Sequence, residues 1–268
     1  MVYGQVNPSR PVSAGLPVPL PQAFSDPPFM DLEYGDLRVA ERMSLAEANS
    51  FGIVLDFQYI SGSGAASPQT EFGQGRYLMH RQYISSSTTN SEATVIRADN
   101  ASYQFQLSGG AYSPTGSGSS TTSLAFDGTR FTEYYGDGTR LVYEPQVNSG
   151  NPVTCQLVNL FDQHGNSTTL NYGTGALQGL LTSVQLPNAN VITLNYMPGP
   201  TGYPVSLLQS VEDFGARLTT YGYDNGGCMT TLTYPSGCVK VYGYTTGSTV
   251  SLLNSVTTPQ GYTSNYGT

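Results

Sequence analysis

Residues 215–244 read GARLTTYGYDNGGCMTTLTYPSGCVKVYGY. Pro235-Ser236-Gly237 decides how the stretch folds. Proline suits position i+1 of a type I turn, and glycine takes the left-handed position that closes a three-residue hairpin with a bulge. Asp224-Asn225-Gly226-Gly227 marks a second turn, because Asp and Asn bond back to their own main chain and Gly is free to turn either way. Between the turns lie Thr, Val, Leu and Tyr, residues that favour half-buried strands. The stretch reads as consecutive β-hairpins.

The same unit recurs along the chain. A turn with glycine, or a residue that can replace it, is followed by a strand ending in tyrosine. The pairs are Gly165 and Tyr172, Asn190 and Tyr196, Gly215 and Tyr223, Gly237 and Tyr244, and Gly261 and Tyr266. Asn190 fits the glycine role because Asn tolerates positive φ. The tyrosines recur every 21 to 27 residues. Looser members precede them: "DNASYQF" from Asp99, "DGTRFTEYY" from Asp127 and "DGTRLVY" from Asp137. The Asp-Gly pairs at 127–128 and 137–138 suit two-residue hairpin loops. In "VITLNY", Ile192, Leu194 and Tyr196 share one face while Val191, Thr193 and Asn195 share the other.

Composition agrees with a β reading. Of 268 residues only 10% are charged, yet there are 20 Tyr, 10 Phe, 31 Gly and 17 Pro. Disordered chains lack such aromatics, and this mixture gives many short strands joined by tight turns. The net charge of −8, with a single lysine at Lys240 and scattered arginines, excludes a phosphate-backbone partner. No apolar run is long enough for a membrane span, and "MVYGQVNPSRPVSAGLPVPLP" is no recognisable signal peptide.

Three regions are expected. Residues 1–50 form a proline-rich extended arm. Seven prolines lie before residue 29, and a capping box at Ser44 and Glu47 in "RVAERMSLAEANSFG" allows at most a short helix ended by Gly52. Residues 51–150 form an entry β region. It holds strand candidates "FGIVLDFQYI" and "RYLMHRQYI" and Ser/Thr/Gly loops. Residues 151–268 hold the hairpin repeats.

The repeats resemble the YD-repeat (RHS repeat) family. Its pattern is a glycine, several residues, Tyr-x-Tyr-Asp, a second glycine and a further strand. Residues 215–244 match it best, and the likeness extends over roughly residues 50–268 as the first part of such an array. The Tyr-Asp pair itself stands only at Tyr223-Asp224; Gly173, Met197, Thr245 and Gly267 follow the other tyrosines. The resemblance implies a spiral sheet, all-β, forming part of a hollow shell in toxin-delivery, polymorphic-toxin or cell-surface proteins. It implies a non-enzymatic structural role around an enclosed or C-terminal polypeptide, and export to the cell surface or beyond. The aspartate-rich self-cleaving end of bacterial members has no counterpart here. The chain stops in "SNYGT", within a repeat, which reads as a fragment or short relative with an open edge strand.

Other chemistry is thin. Cys155, Asp162 and His164 are a triad only on paper, and the histidine reads as a turn residue. Three cysteines make no disulfide framework. Cys228 and Cys238 lie too far apart for a disulfide if the Pro-Ser-Gly hairpin forms, so both read as packed thiols. Asp99, Asp162, Asp213 and Asp224 read as turn formers rather than calcium ligands. No cofactor or metal is expected. The tyrosines Tyr172, Tyr196, Tyr223, Tyr244 and Tyr266 have two readings. They are cross-strand packing residues, or an aromatic row binding a cell-surface glycan in an adhesion module. Which way they face decides between these.

Overall fold

A computed structural model describes residues 29–31, 36–42, 56–60, 69–78, 82–97, 102–115, 122–146, 152–246 and 251–266. They form an all-β chain of 23 strands with one short 3-10 turn, Gly175–Leu177. The first strands are β1 (Phe29–Asp31), β2 (Asp36–Arg42), β3 (Asp56–Ile60), β4 (Gln69–Thr70), β5 (Gly73–Gln74) and β6 (Arg76–Leu78). β1, β2, β3 and β6 make an antiparallel sheet in that order, and β4 and β5 a minimal hairpin. "RVAER", which leads into the expected short helix, belongs to strand β2; the capping box at Ser44 and Glu47 and the helix expected to follow it lie outside the described residues. The proline-rich stretch before Phe29 lies outside them too. The sheet crosses the expected boundary near residue 50, because β2 on one side pairs with β3 on the other from Arg38↔Ile60 to Arg42↔Asp56.

Eight strands then close a ring. They are β7 (Tyr83–Ser86), β8 (Glu92–Ile96), β9 (Ser102–Ser108), β10 (Ala111–Thr115), β11 (Ser123–Phe126), β12 (Phe131–Tyr134), β13 (Arg140–Pro145) and β14 (Val153–Phe161). Each pairs antiparallel with the next. β14 then returns to β7 through Val153↔Ser86 to Gln156↔Tyr83. An even number of up-and-down strands can close antiparallel, and eight strands leave an interior that side chains alone fill. Alternating residues supply that filling: Ile84, Val95, Phe105, Phe131, Leu141, Tyr143 and Leu157 are each at most 1% exposed.

The ribbon continues as β15 (Ser167–Tyr172), β16 (Leu181–Gln185), β17 (Val191–Met197), β18 (Leu207–Glu212), β19 (Leu218–Tyr223), β20 (Met229–Thr233), β21 (Val239–Thr246), β22 (Ser251–Thr257) and β23 (Thr263–Asn265). The seam is at β14. Its first half pairs with β7 at residues 153–156, and its second half pairs with β15 through Asn159↔Thr169 to Phe161↔Ser167 on the same edge. Nine residues are long enough to serve both partners end to end. The sheet thus closes one turn and leaves it at a new level, which is the start of a spiral.

Candidate functional site: the tyrosine face of the repeats

Among the described residues, six hairpins at one end of the ribbon use the same turn. Asp162 donates its N–H to the carbonyl of Asn166 at 3.0 Å, and Gly165 donates back to Asp162 at 3.1 Å. The pair of bonds recurs from Tyr135 to Thr139, Leu186 to Asn190, Asp213 to Arg217, Tyr234 to Cys238 and Thr258 to Tyr262. The fourth residue takes the left-handed conformation. It is Gly165, Gly237 and Gly261 at three of the expected positions. At the other two the left-handed residue is one place away: Ala189 (φ 65°) rather than Asn190, and Ala216 (φ 55°) rather than Gly215. Leu186-Pro187 and Asp213-Phe214 set those turns, and alanine tolerates the conformation at a cost. Asp137-Gly138 also lies in this wider turn, since Tyr135 bonds Thr139. Asp127-Gly128 closes the shorter loop, with Asp127 donating to Arg130 at 3.1 Å.

The aspartates hold these turns with their side chains. Oδ1 of Asp162 accepts from the amides of His164 and Asn166, that of Asp213 from Gly215 and Arg217, and that of Asp224 from Gly226 and Cys228, all at 2.8–3.0 Å. Burial pushes the Asp162 carboxyl up, but the Asn166 side chain and the two amides outweigh it and hold it below its ordinary value. Among the described residues no cluster of His, Cys, Asp or Glu could hold a metal ion. Cys155 is buried in the ring, and burial pushes its thiol up to about 11, the wrong direction for a nucleophile. His164 belongs to the turn at the far end of β14 and touches Gln163. Cys228 is buried and its thiol meets Gln74 Oε1 at 3.4 Å, whereas Cys238 is exposed, not packed as the sequence suggested. Its place beside the Pro-Ser-Gly turn, where the strands leave the core, accounts for this.

The tyrosines share one geometry. Tyr172 donates its hydroxyl to the carbonyl of Leu157 at 2.8 Å, Tyr196 to Leu181 at 2.7 Å, Tyr223 to Leu208 at 2.8 Å and Tyr244 to Met229 at 2.9 Å. Each acceptor lies 15 residues upstream. Each tyrosine also follows a register shift, at Asn171/Tyr172, Asn195/Tyr196, Gly222/Tyr223 and Gly243/Tyr244. The bulge explains the bond. The Ser183↔Thr193 pairing, carried two residues further along each strand, sets Leu181 opposite Asn195. Regular pairing with β16 stops at Ser183↔Thr193, and the tyrosine hydroxyl bonds a carbonyl beyond that last pair.

The units interlock. Tyr172 pairs with Leu181, whose carbonyl serves Tyr196; Tyr196 pairs with Leu208, which serves Tyr223; Tyr223 pairs with Met229, which serves Tyr244. Tyr143 starts the series, since it follows a shift at Val142 and pairs with Leu157, the acceptor of Tyr172. The five expected tyrosines are all partly buried and packed against the core. Burial pushes the Tyr223 phenol well above its ordinary value. The large exposed side chains are others, with Tyr262 at 77% and Leu218 at 45%.

Two features lay outside the sequence reading. Inside the ring, Glu133 is fully buried and takes two bonds from Arg97, one from Thr122 at 2.8 Å and one from Tyr143 at 3.1 Å. Burial works against the Arg97 charge, but Glu133 outweighs it and holds the guanidinium above its ordinary value. Second, the segment around β4 and β5 lies on the tyrosine face of the ribbon. Leu208 donates to Glu71 at 2.7 Å, Gln74 to Gly227 at 3.1 Å and the Tyr203 hydroxyl to Thr70 at 3.1 Å. No motif signals either one, because each joins residues remote in sequence.

No family model matches the chain, and no curated protein matches it. Among solved structures it is similar to TcdB2-TccC3-TEV, with 13% identity, 97% of this chain and 16% of that chain covered, and a TM-score of 0.46. The crystal structures of TcdB2-TccC3-Cdc42 and TcdB2-TccC3 both match at 12% identity, with TM-scores of 0.43 and 0.42. They cover 85% and 87% of this chain but 15% and 16% of those chains, so the chain spans about a sixth of their length. Overlays this loose assign neither family nor function. Among the described residues no helix is long and apolar enough to cross a membrane.

Proposed function

We propose that the chain is a non-enzymatic wall segment of a YD-repeat-type β shell, which encloses or presents another polypeptide in a toxin-delivery or cell-surface setting. One observation carries this reading: the single edge of β14 is shared by β7 and β15, so the ribbon closes one turn and then winds past it. The interlocked tyrosines support it. The hydroxyls of Tyr172, Tyr196, Tyr223 and Tyr244 are each bonded to the main chain of the preceding strand, which favours a wall-building role for these rings over a platform for a sugar ring. The filled ring is the closed end of the wall, and β15–β23 are its first advance.

Electron cryo-microscopy of the complete gene product tests the proposal. A β wall that continues from β23 around a lumen supports it; a ribbon that ends flat, with no enclosed space, contradicts it. A glycan array tests the adhesion alternative: binding lost on Tyr223→Ala and Tyr244→Ala, while both variants stay folded, contradicts a purely structural role for the tyrosines.

A further inference from the structure

We infer that Tyr242 and Tyr244 form a guanidinium-binding pocket on the tyrosine face, filled in this chain by Arg76, and that Arg76 is the latch holding the 69–76 segment on the repeats. The pocket is independent of the shell proposal, because it rests on the side chains alone.

Arg76 is fully buried. Its guanidinium carbon stands 4.3 Å from the centre of the Tyr242 ring and 5.6 Å from that of Tyr59. Both distances are within the range where a ring face attracts a cation, and the attraction grows when water is excluded. Nη2 donates to the Tyr244 hydroxyl at 3.1 Å. That hydroxyl has already given its proton to the Met229 carbonyl at 2.9 Å, so its oxygen is left to accept. Tyr59 is held by an opposite bond: its oxygen accepts the Leu253 amide at 3.0 Å, and its ring meets Tyr244 edge-on with centres 6.4 Å apart. The pocket therefore offers a flat aromatic face and an acceptor beside it. That combination suits a planar cation with in-plane donors, and suits a compact ammonium less well.

The repeats supply Tyr242 and Tyr244, and Arg76 arrives from a segment more than 160 residues away in sequence. The rest of that segment is seated closely. A Cβ on Gly73 would stand 2.7 Å from the Gly227 carbonyl oxygen, so the hairpin approaches the repeat at main-chain contact.

Hydrogen exchange on the chain with Arg76→Ala tests the pocket. Peptides covering residues 69–76 and 207–212 report the bonds from Gln74 and Leu208. The variant is expected to lose protection there by on the order of tenfold. Millimolar ethylguanidinium should restore it, and ethylammonium at the same concentration should not. No restoration by ethylguanidinium, or equal restoration by both, overturns the pocket. If Arg76→Ala does not fold, Arg76→Lys decides: loss of protection in the same peptides supports the pocket, and wild-type protection overturns it.

Discussion

The hydroxyl of Tyr223 donates to the carbonyl of Leu208 at 2.8 Å, and Leu208 is the residue that pairs with the preceding tyrosine, Tyr196. Each repeat is thereby fastened to the one before it at the point where its hairpin splays. A sheet built so has its curvature fixed by hydroxyl-to-carbonyl bonds at these bulges, and not by packing alone.

Removing one hydroxyl measures that fastening. Tyr196→Phe and Tyr223→Phe keep the ring and leave a part-buried carbonyl without its donor, so each should lose about 1–2 kcal/mol in urea unfolding. Tyr262→Phe, whose ring is exposed, should change stability by less than about 0.5 kcal/mol. Equal effects at the two kinds of site would contradict the interlock.

The two left-handed alanines give a gain. Glycine accepts positive φ without the Cβ clash, while its greater freedom in the unfolded chain offsets part of the benefit. Ala189→Gly and Ala216→Gly should each stabilise by about 0.5–1 kcal/mol. Gly165→Ala, at φ 83° with open space around it, should destabilise by about 1 kcal/mol for the same backbone reason. Thermal melting of the three variants decides.

These turns also show how much of the fold was legible. Alternation in "VITLNY" sets Ile192 and Leu194 on one face, and that face is the buried one, with the two residues 2% and 3% exposed. The turns themselves were plain from Pro, Asp and Gly. Their phase was not, because Asn190 and Gly215 are the residue types that favour positive φ, yet the neighbouring Ala189 and Ala216 hold it. With those positions used, the left-handed residue precedes its tyrosine by seven places at Gly165, Ala189, Ala216 and Gly237. That constant spacing is the signal in the sequence. The ring closure, the Arg97–Glu133 pair and the Arg76 pocket were not legible, because they depend on contacts between distant strands that no local pattern records.

The ion pair inside the ring should behave as a buried one. Glu133→Ala strands the Arg97 guanidinium and should cost about 3–5 kcal/mol, whereas Arg97→Met with Glu133→Leu should recover most of the loss. Calorimetry of the single and double variants separates a stranded charge from lost packing.

Acid should loosen the turns. The folded Asp162 carboxyl titrates below its ordinary value of 3.8, so its contribution is complete above that pH and is lost as pH falls through the lower folded value. Asp127 is shifted in the same direction, its carboxylate held by the amides of Arg130 and Thr129. Asp162→Asn keeps an acceptor and removes the titration. Its stability should therefore fall less steeply than that of the wild type between roughly pH 4 and pH 2. Parallel pH profiles would show that the turn carboxylate carries no folding linkage.

The spiral depends on the seam between β7 and β14, where Ser85 faces Thr154. Antiparallel partners have Cα atoms about 4.5–5.5 Å apart, within reach of a disulfide. The chain with Ser85→Cys and Thr154→Cys, oxidised under native conditions and mapped by mass spectrometry, is predicted to form a bond bridging positions 85 and 154. A folded protein in which those two thiols remain free, with no bridge at any oxidant concentration, would mean that the ring is open and the ribbon does not wind past itself.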